Sequence, residues 1–201
     1  MAIFILLGVL MTQVNAAGNS PLSLKKAVFA GGCFWCLQPG FDHTPGVLST
    51  IVGYTGGSVP NPSYEEVSSG TTGHYEAIEV IYDPTAVAYE KLVDIFWRFI
   101  DPTDAQGQFT DRGSQYRTAI FYADEVQKKA AHEAVHRLAV SGKYKKPIVT
   151  MILPAATFYP AEDYHQKYYL KQSGRYNAYK VGSGRSDFLK KIADKVIRRA
   201  L

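Results

Sequence analysis

The chain contains two cysteines, three positions apart in Cys33-Phe34-Trp35-Cys36. On a helix that spacing puts both sulfurs on one face, close enough to be joined. Gly31 and Gly32 precede them, after a short apolar run at residues 27–30. A strand, a glycine pair and a cysteine at the first helical turn together favour a thiolate. Unpaired backbone N–H groups and the positive end of the helix dipole then face the sulfur. The glycines would let another molecule reach that sulfur without a side chain in the way. The dithiol therefore suits redox chemistry. Three other uses stay open. A structural disulfide would close too small a loop to restrain the unfolded chain much. A zinc site needs four ligands, and the helical pair His132 and His136 lies about a hundred residues away. Two inert buried thiols are the third.

Phe34 and Trp35, between the thiols, could line an apolar pocket or simply be core. Glu76 is the next candidate. In residues 75–82, Glu76, Ile78, Val80 and Tyr82 share one face of an alternating strand, with Ala77, Glu79 and Ile81 on the other. Desolvation keeps a carboxyl on an apolar face protonated, which makes it a proton donor near neutral pH. At a sheet edge the same residue would reach water, and the pattern alone leaves both open.

The elements that must position these groups follow from periodicity and breakers. Residues 25–30 read as a strand ending in Gly31-Gly32. A helix opens at Cys33 and stops before Pro45-Gly46, with Pro39 tolerated near its start. Residues 47–52 form a second strand, and the Gly- and Pro-rich residues 53–62 form a loop held by turns. Asp83-Pro84 ends the strand carrying Glu76. Residues 89–100 place Leu92, Ile95, Phe96 and Phe99 at the spacing of an amphipathic helix. Residues 115–123 form another strand. Asp124 then caps a helix carrying Val126, Ala130, Ala134 and Leu138, with Gln127 as capping partner and Gly142 at its end. Residues 147–153 form a last strand, followed by loop and helix. This interleaving predicts an α+β fold: a single compact domain with a mixed central sheet, flanking helices and long coil segments.

Composition agrees with a domain that builds its own core. The chain has 201 residues, 46% hydrophobic and 20% charged, a balance unlike that of disordered sequences. The net charge of +4 comes with no nucleic-acid-binding module, so no nucleic acid is expected as a partner. The basic tail at residues 186–201, with Lys190, Lys191, Lys195, Arg198 and Arg199, reads as a solvated helix face. Residues 1–17 resemble a secretory signal: residues 3–11 are apolar, too few to span a bilayer, and Ala16 and Ala17 suit a cleavage site. No Lys or Arg precedes the apolar stretch. A periplasmic or secreted protein with its domain at residues 18–201 is expected, a cytoplasmic location being the alternative.

Gly31-Gly32-Cys33-Phe34-Trp35-Cys36 resembles the active-site signature of the A-type peptide methionine sulfoxide reductases. Three further blocks follow in that family's order. Gly53-Tyr54-Thr55-Gly56-Gly57 with Asn61-Pro62-Ser63-Tyr64 is similar to the second. Gly73-His74-Tyr75-Glu76-Ala77 is similar to the third, and Asp111-Arg112-Gly113-Ser114-Gln115-Tyr116-Arg117 to the fourth. The resemblance covers residues 27–169.

It implies that Cys33 is the nucleophile and that Phe34 and Trp35 hold the substrate's methyl group. Glu76, Tyr64 and Tyr116 would hold and protonate the sulfoxide oxygen, with Asp111 a supporting acid. It further implies reduction of peptide or free methionine-S-sulfoxide, and so repair of oxidised proteins. The route runs through a Cys33 sulfenic acid and a disulfide with Cys36, recycled by thioredoxin or a similar dithiol. No metal or organic cofactor is implied, and a monomer is expected. The chain departs from many family members in carrying no cysteine after Cys36, so Cys36 or an external thiol must resolve the sulfenic acid. His165 could brace the site from late in the chain, its role open. Two rivals stand beside this reading. A thioredoxin-type oxidoreductase would not account for the Glu76 and Asp111 blocks. An exported binding domain with an inert disulfide predicts that reduced Cys33 resists alkylation.

Overall fold

The computed structural model describes residues 23–191. The signal-like residues 1–17 and the end of the basic tail lie outside them. Two strands form the centre of a sheet, β1 (Lys25–Gly31) and β3 (Tyr75–Tyr82), paired antiparallel. β2 (Val47–Thr55) flanks β3, and β8 (Phe158–Pro160) closes that side. β6 (Thr118–Tyr122) flanks β1, and β7 (Met151–Pro154) closes the other. The order is β7-β6-β1-β3-β2-β8, with β6 and β7 parallel and the other neighbours antiparallel, so the sheet is mixed as expected.

One face of the sheet carries the main core. Phe29, Ile78, Val80 and Tyr82 meet apolar side chains of helices α1 (Phe34–Asp42), α3 (Tyr89–Phe96) and α4 (Glu125–Val140). The ring of Phe29 stacks on both Phe41 and Phe96, each at 5.2 Å between centroids. Such aromatic pairs contribute about 0.5–1.5 kcal/mol beyond area burial, and here they pin α1 and α3 onto β1. The opposite face holds a smaller cluster of Ala30, Tyr75, Ala77, Ala119 and Phe121. Remaining elements are α2 (Tyr64–Ser68), a two-stranded ribbon of β4 (Gly107–Gln108) and β5 (Asp111–Arg112), α5 (Tyr168–Lys171), α6 (Ser173–Gly182) and a helical stretch over residues 185–191.

Several expectations are corrected. Residues 53–55 continue β2 where a loop was expected. Gly53 faces β8 so closely that a Cβ would lie 2.2 Å from the carbonyl oxygen of Tyr159. The glycine is there for close strand approach. Gly53→Ala is expected to destabilise the protein by about 1–3 kcal/mol, read as a lower urea midpoint at unchanged slope. Helix α3 ends at Phe96, not at 100. The bonds Arg98 N–H to Ile95 O (2.9 Å) and Phe99 N–H to Phe96 O (3.1 Å) tighten the chain into turns that bury Ile100.

The strand expected from 115 begins at Thr118, because Ser114–Tyr116 is a 3-10 turn entered through Gly113 at φ 133°. The strand expected from 147 begins at Met151. Pro39 is the sixth of nine residues in α1, well inside rather than near its start. Asp124 caps α4 as expected, its Oδ1 accepting the Gln127 N–H at 2.8 Å. The Gln127 side chain turns inward, accepting the Ala123 N–H at 2.9 Å and donating to the Lys26 carbonyl at 2.7 Å. That sets the buried stripe at Gln127, Ala130, Ala131, Ala134 and Leu138, and leaves Val126 exposed.

Candidate active site

Cys33 is the N-cap of α1 and makes no side-chain capping bond. The first N–H of the helix, that of Phe34, donates instead to Oε2 of Glu76 at 3.1 Å. Glu76 projects from β3 on the face of Ile78 and Val80, opposite Tyr54 of β2. It is 3% exposed, in an interior strand of the sheet, so the water-facing alternative is excluded. Burial pushes its carboxyl up to about 8, against the lowering hydrogen bond from Phe34. Glu76 is thus a neutral acid at pH 7.

The two free thiols are buried side by side. The expected low-pKa Cys33 is not found. Burial pushes the Cys33 thiol well above its ordinary value, and Cys36, Glu76 and Asp111 push it further. The first N–H at that helix start is turned to Glu76 rather than to the sulfur. The acidity resides on Cys36, lowered chiefly by a hydrogen bond from Cys33 that outweighs burial, with Arg185 and Lys180 adding to it. The role expected for the glycine pair also changes. A Cβ on Gly31 would meet Ile100 at 2.8 Å, and one on Gly32 (φ 76°) would meet Gln108 at 2.5 Å. Both are small for the protein's own packing, not for an incoming molecule.

A small cavity of about 110 Å³ is lined by Cys33, Phe34, Trp35, Tyr64, Glu76, Asp111, Tyr116 and Tyr179. The structure thus brings seven of the eight expected site residues to one pocket, and sets Cys36 behind Cys33. Tyr64 opens α2, whose N-terminus carries a capping box: Ser63 Oγ accepts the Glu66 N–H, and the Glu66 carboxylate accepts the Ser63 N–H. The Tyr64 N–H donates to Glu162 at 2.8 Å, which fixes the start of that helix. Burial raises the Tyr64 phenol to about 12 and that of Tyr116 further, so both are protonated donors. Asp111, on β5, accepts from the Tyr179 hydroxyl, and burial raises its carboxyl.

Trp35 is held from late in the chain. Its Nε1–H donates to His165 Nδ1 at 3.0 Å, and its indole stacks on Tyr168 at 3.8 Å. His165 is 1% exposed and burial lowers its pKa, so it is a neutral acceptor packed among Phe34, Tyr64 and Tyr164. The brace expected of His165 is therefore an orienting bond to the pocket wall. Sequence reasoning missed Tyr179 and Arg185, which lie in the segment read only as loop and helix. Local pattern marks neither, because their partners are far away in the chain. His132 and His136 are exposed on α4, and among the described residues no group of three or more His, Cys, Asp or Glu could hold a metal.

A thiol facing a neutral acid and protonated phenols, in a pocket with apolar walls and a second thiol behind, can deliver protons to an oxygen acceptor while sulfur attacks. That set is chemically equipped for thiol-based reduction of a small oxidised group. The comparisons make the class specific. The family model described as peptide methionine sulfoxide reductase matches residues 25–196, beyond the motif-bearing residues 27–169 and into the helical stretch carrying Arg185. The peptide methionine sulfoxide reductase MsrA of Listeria monocytogenes serotype 4b is 56% identical over 167 residues, covering 83% of this chain and 94% of that protein. Methionine sulfoxide reductase A of Corynebacterium diphtheriae superposes with a TM-score of 0.68 at 38% identity, over 77% of each chain. Reduced Mxr1 of Saccharomyces cerevisiae gives 0.70 at 31% identity, over 77% of this chain and 89% of its own. The chain belongs to the peptide methionine sulfoxide reductase family. It is an enzyme that reduces methionine sulfoxide in peptides.

Proposed function

We propose that the enzyme acts on the S epimer of methionine sulfoxide through a Cys33 sulfenic acid, and that Cys36 then recycles Cys33. The observation that carries this reading is the buried, neutral carboxyl of Glu76, fixed by the Phe34 N–H beside Cys33 in one small pocket. Phe34 and Trp35 receive the substrate's methyl group. Glu76, Tyr64 and Tyr116 donate hydrogen bonds to the sulfoxide oxygen, a strong acceptor that would be costly to bury without them. Proton transfer from Glu76 makes the substrate sulfur electrophilic, and Cys33 attacks it. The oxygen passes to Cys33, and methionine leaves. The Cys33 proton replaces the one Glu76 gave, so the exchange is balanced: sulfoxide plus thiol gives thioether plus sulfenic acid.

Cys36 then attacks the sulfenic sulfur, forming a disulfide and releasing water. A dithiol protein of the thioredoxin kind reduces it. The yeast relative Mxr1 has been solved in complex with Trx2, which supports such a donor here. No organic cofactor or metal enters the cycle. We further propose export, on the strength of apolar residues 3–11 followed by Ala16 and Ala17.

Cys36→Ser tests the recycling step. It is expected to release one methionine per enzyme and then stall under thioredoxin-driven conditions, read by quantifying methionine against active sites. Undiminished steady turnover would remove Cys36 from the cycle and leave resolution to the external thiol.

A further inference from the structure

Arg185 is among the largest fully buried side chains, 1% exposed, and stands at the start of the helical residues 185–191. Its Nη1 donates to the Phe99 carbonyl and lies 3.5 Å from that of Gly31, while its guanidinium covers the Phe109 ring at 4.6 Å. Nε and Nη2 have no hydrogen-bond partner among the described residues, and a Cβ on Gly32 would come within 3.1 Å of Nη2. The cation is therefore sealed against the Gly31-Gly32 turn that leads into the dithiol. An uncompensated buried charge costs several kcal/mol, so a counter-ion must be near. Of the carboxyl groups nearby, Glu76 is neutral at pH 7; Asp111 is raised by burial, which outweighs the Tyr179 hydroxyl and Arg185, so it meets only part of the need for countercharge.

We propose that Arg185 is a positioning residue for recycling, its guanidinium serving as countercharge to a thiolate on Cys36. This rests on the dithiol cycle described above and deepens it. Arg185 would act twice. The Cys36 thiolate attacks the sulfenic sulfur of Cys33; the S–S bond forms, the S–O bond breaks, and hydroxide leaves as water after taking a proton. The donor's thiolate then attacks Cys33, the less deeply buried residue of the pair at 7% exposure against 2%. The S–S electron pair returns to Cys36, which leaves as a stabilised thiolate. A second donor thiol frees Cys33, so the mixed disulfide with the donor forms at Cys33. The charged and titratable groups whose influence reaches Cys36 are the acids Glu76 and Asp111, the cations Arg185 and Lys180, the phenols Tyr176 and Tyr179, and the neighbouring thiol of Cys33. Arg185 also lowers the Cys36 thiol.

The test is a titration of Cys36 by ultraviolet thiolate absorbance in full-length Cys33→Ser protein, against the double variant lacking both cysteines as blank. Serine keeps a hydroxyl that can donate to Cys36. The midpoint is expected below the ordinary cysteine value of about 8.5. Adding Arg185→Gln should raise it by about one pH unit or more, and Arg185→Lys should keep most of the depression. A midpoint at or above the ordinary value with Arg185 present overturns the proposal, even if the glutamine variant does not fold. So does a midpoint indifferent to all three side chains. In protein with both cysteines, Arg185→Gln should retain single-turnover methionine release while steady turnover falls about tenfold. An equal fall in both would mark general damage and overturn the specific role. The titration uses neither substrate nor donor, so its failure is distinguishable from failure of the reductase cycle itself.

Discussion

Cys33→Ser is expected to abolish sulfoxide reduction, lowering single-turnover methionine release by about 10⁴-fold or more. Sulfur can take an oxygen atom and hold it as a sulfenic acid. A serine oxygen would have to form a peroxide, which this site cannot drive. The substitution shortens the side chain little and leaves the Phe34–Glu76 bond intact, so the fold and the proton donor should survive. Methionine release within about tenfold of the parent would show that another group accepts the oxygen. Cys36 is the obvious substitute and is excluded by the double variant. Since burial holds Cys33 above its ordinary value, its alkylation in the parent should also be slower at neutral pH than that of an exposed thiol. Slow alkylation is thus no mark of an inert cysteine here.

The second large effect belongs to Glu76. Glu76→Gln keeps an oxygen to accept the Phe34 N–H and an amide to bind the sulfoxide, but has no proton to give. Sulfenic acid formation should slow by about 10²–10⁴-fold with little change in substrate affinity, measured by stopped-flow binding and quenched single turnovers. In the parent the same step should weaken above about pH 8, where Glu76 ionises. Stability should respond in a linked way. Between the ordinary glutamate value of 4.5 and about 8, the folded protein holds a proton that the unfolded chain has lost, so stability falls as pH rises through that window. Glu76→Gln removes this slope. It should therefore be more stable than the parent at pH 8, with the gap closing toward pH 5. A variant that is slow and also less stable at pH 8 would mean that Glu76 is ionised in the fold, and the assigned acid role would fail.

Much of this site is legible in the residues alone. The period-two pattern puts Glu76, Ile78, Val80 and Tyr82 on one face of β3, and because β3 lies inside the sheet that face is buried, as is the opposite face at Tyr75 and Ala77. The capped start of α4 held because Asp124 acts within four residues of itself. Two further features carry local signals. Ser63 and Glu66 form a capping box just past the Gly- and Pro-rich residues 53–62, and Gly53, at the start of that expected loop, marks close strand contact. β8 is three residues long and ends in proline, too short for any period to show. The helix start favours a thiolate at Cys33, but the burial and the acids Glu76 and Asp111 that oppose it come from distant elements, which local spacing does not show. His165, Tyr179 and Arg185 carried no local signal. Their partners stand 130, 68 and 86 positions away, and only the assembled fold brings them together.

That clasp from the end of the chain has a consequence for biosynthesis. A ribosome-bound chain exposes Cys33 and Cys36 long before the segment holding His165, Tyr168 and Arg185 has been translated. Until then Trp35 lacks its hydrogen-bond acceptor and stacking ring, and one wall of the pocket is without support. A fully braced pocket and a complete recycling cycle thus wait for translation of the last quarter of the molecule, so truncated products should turn over poorly and be open to adventitious oxidation.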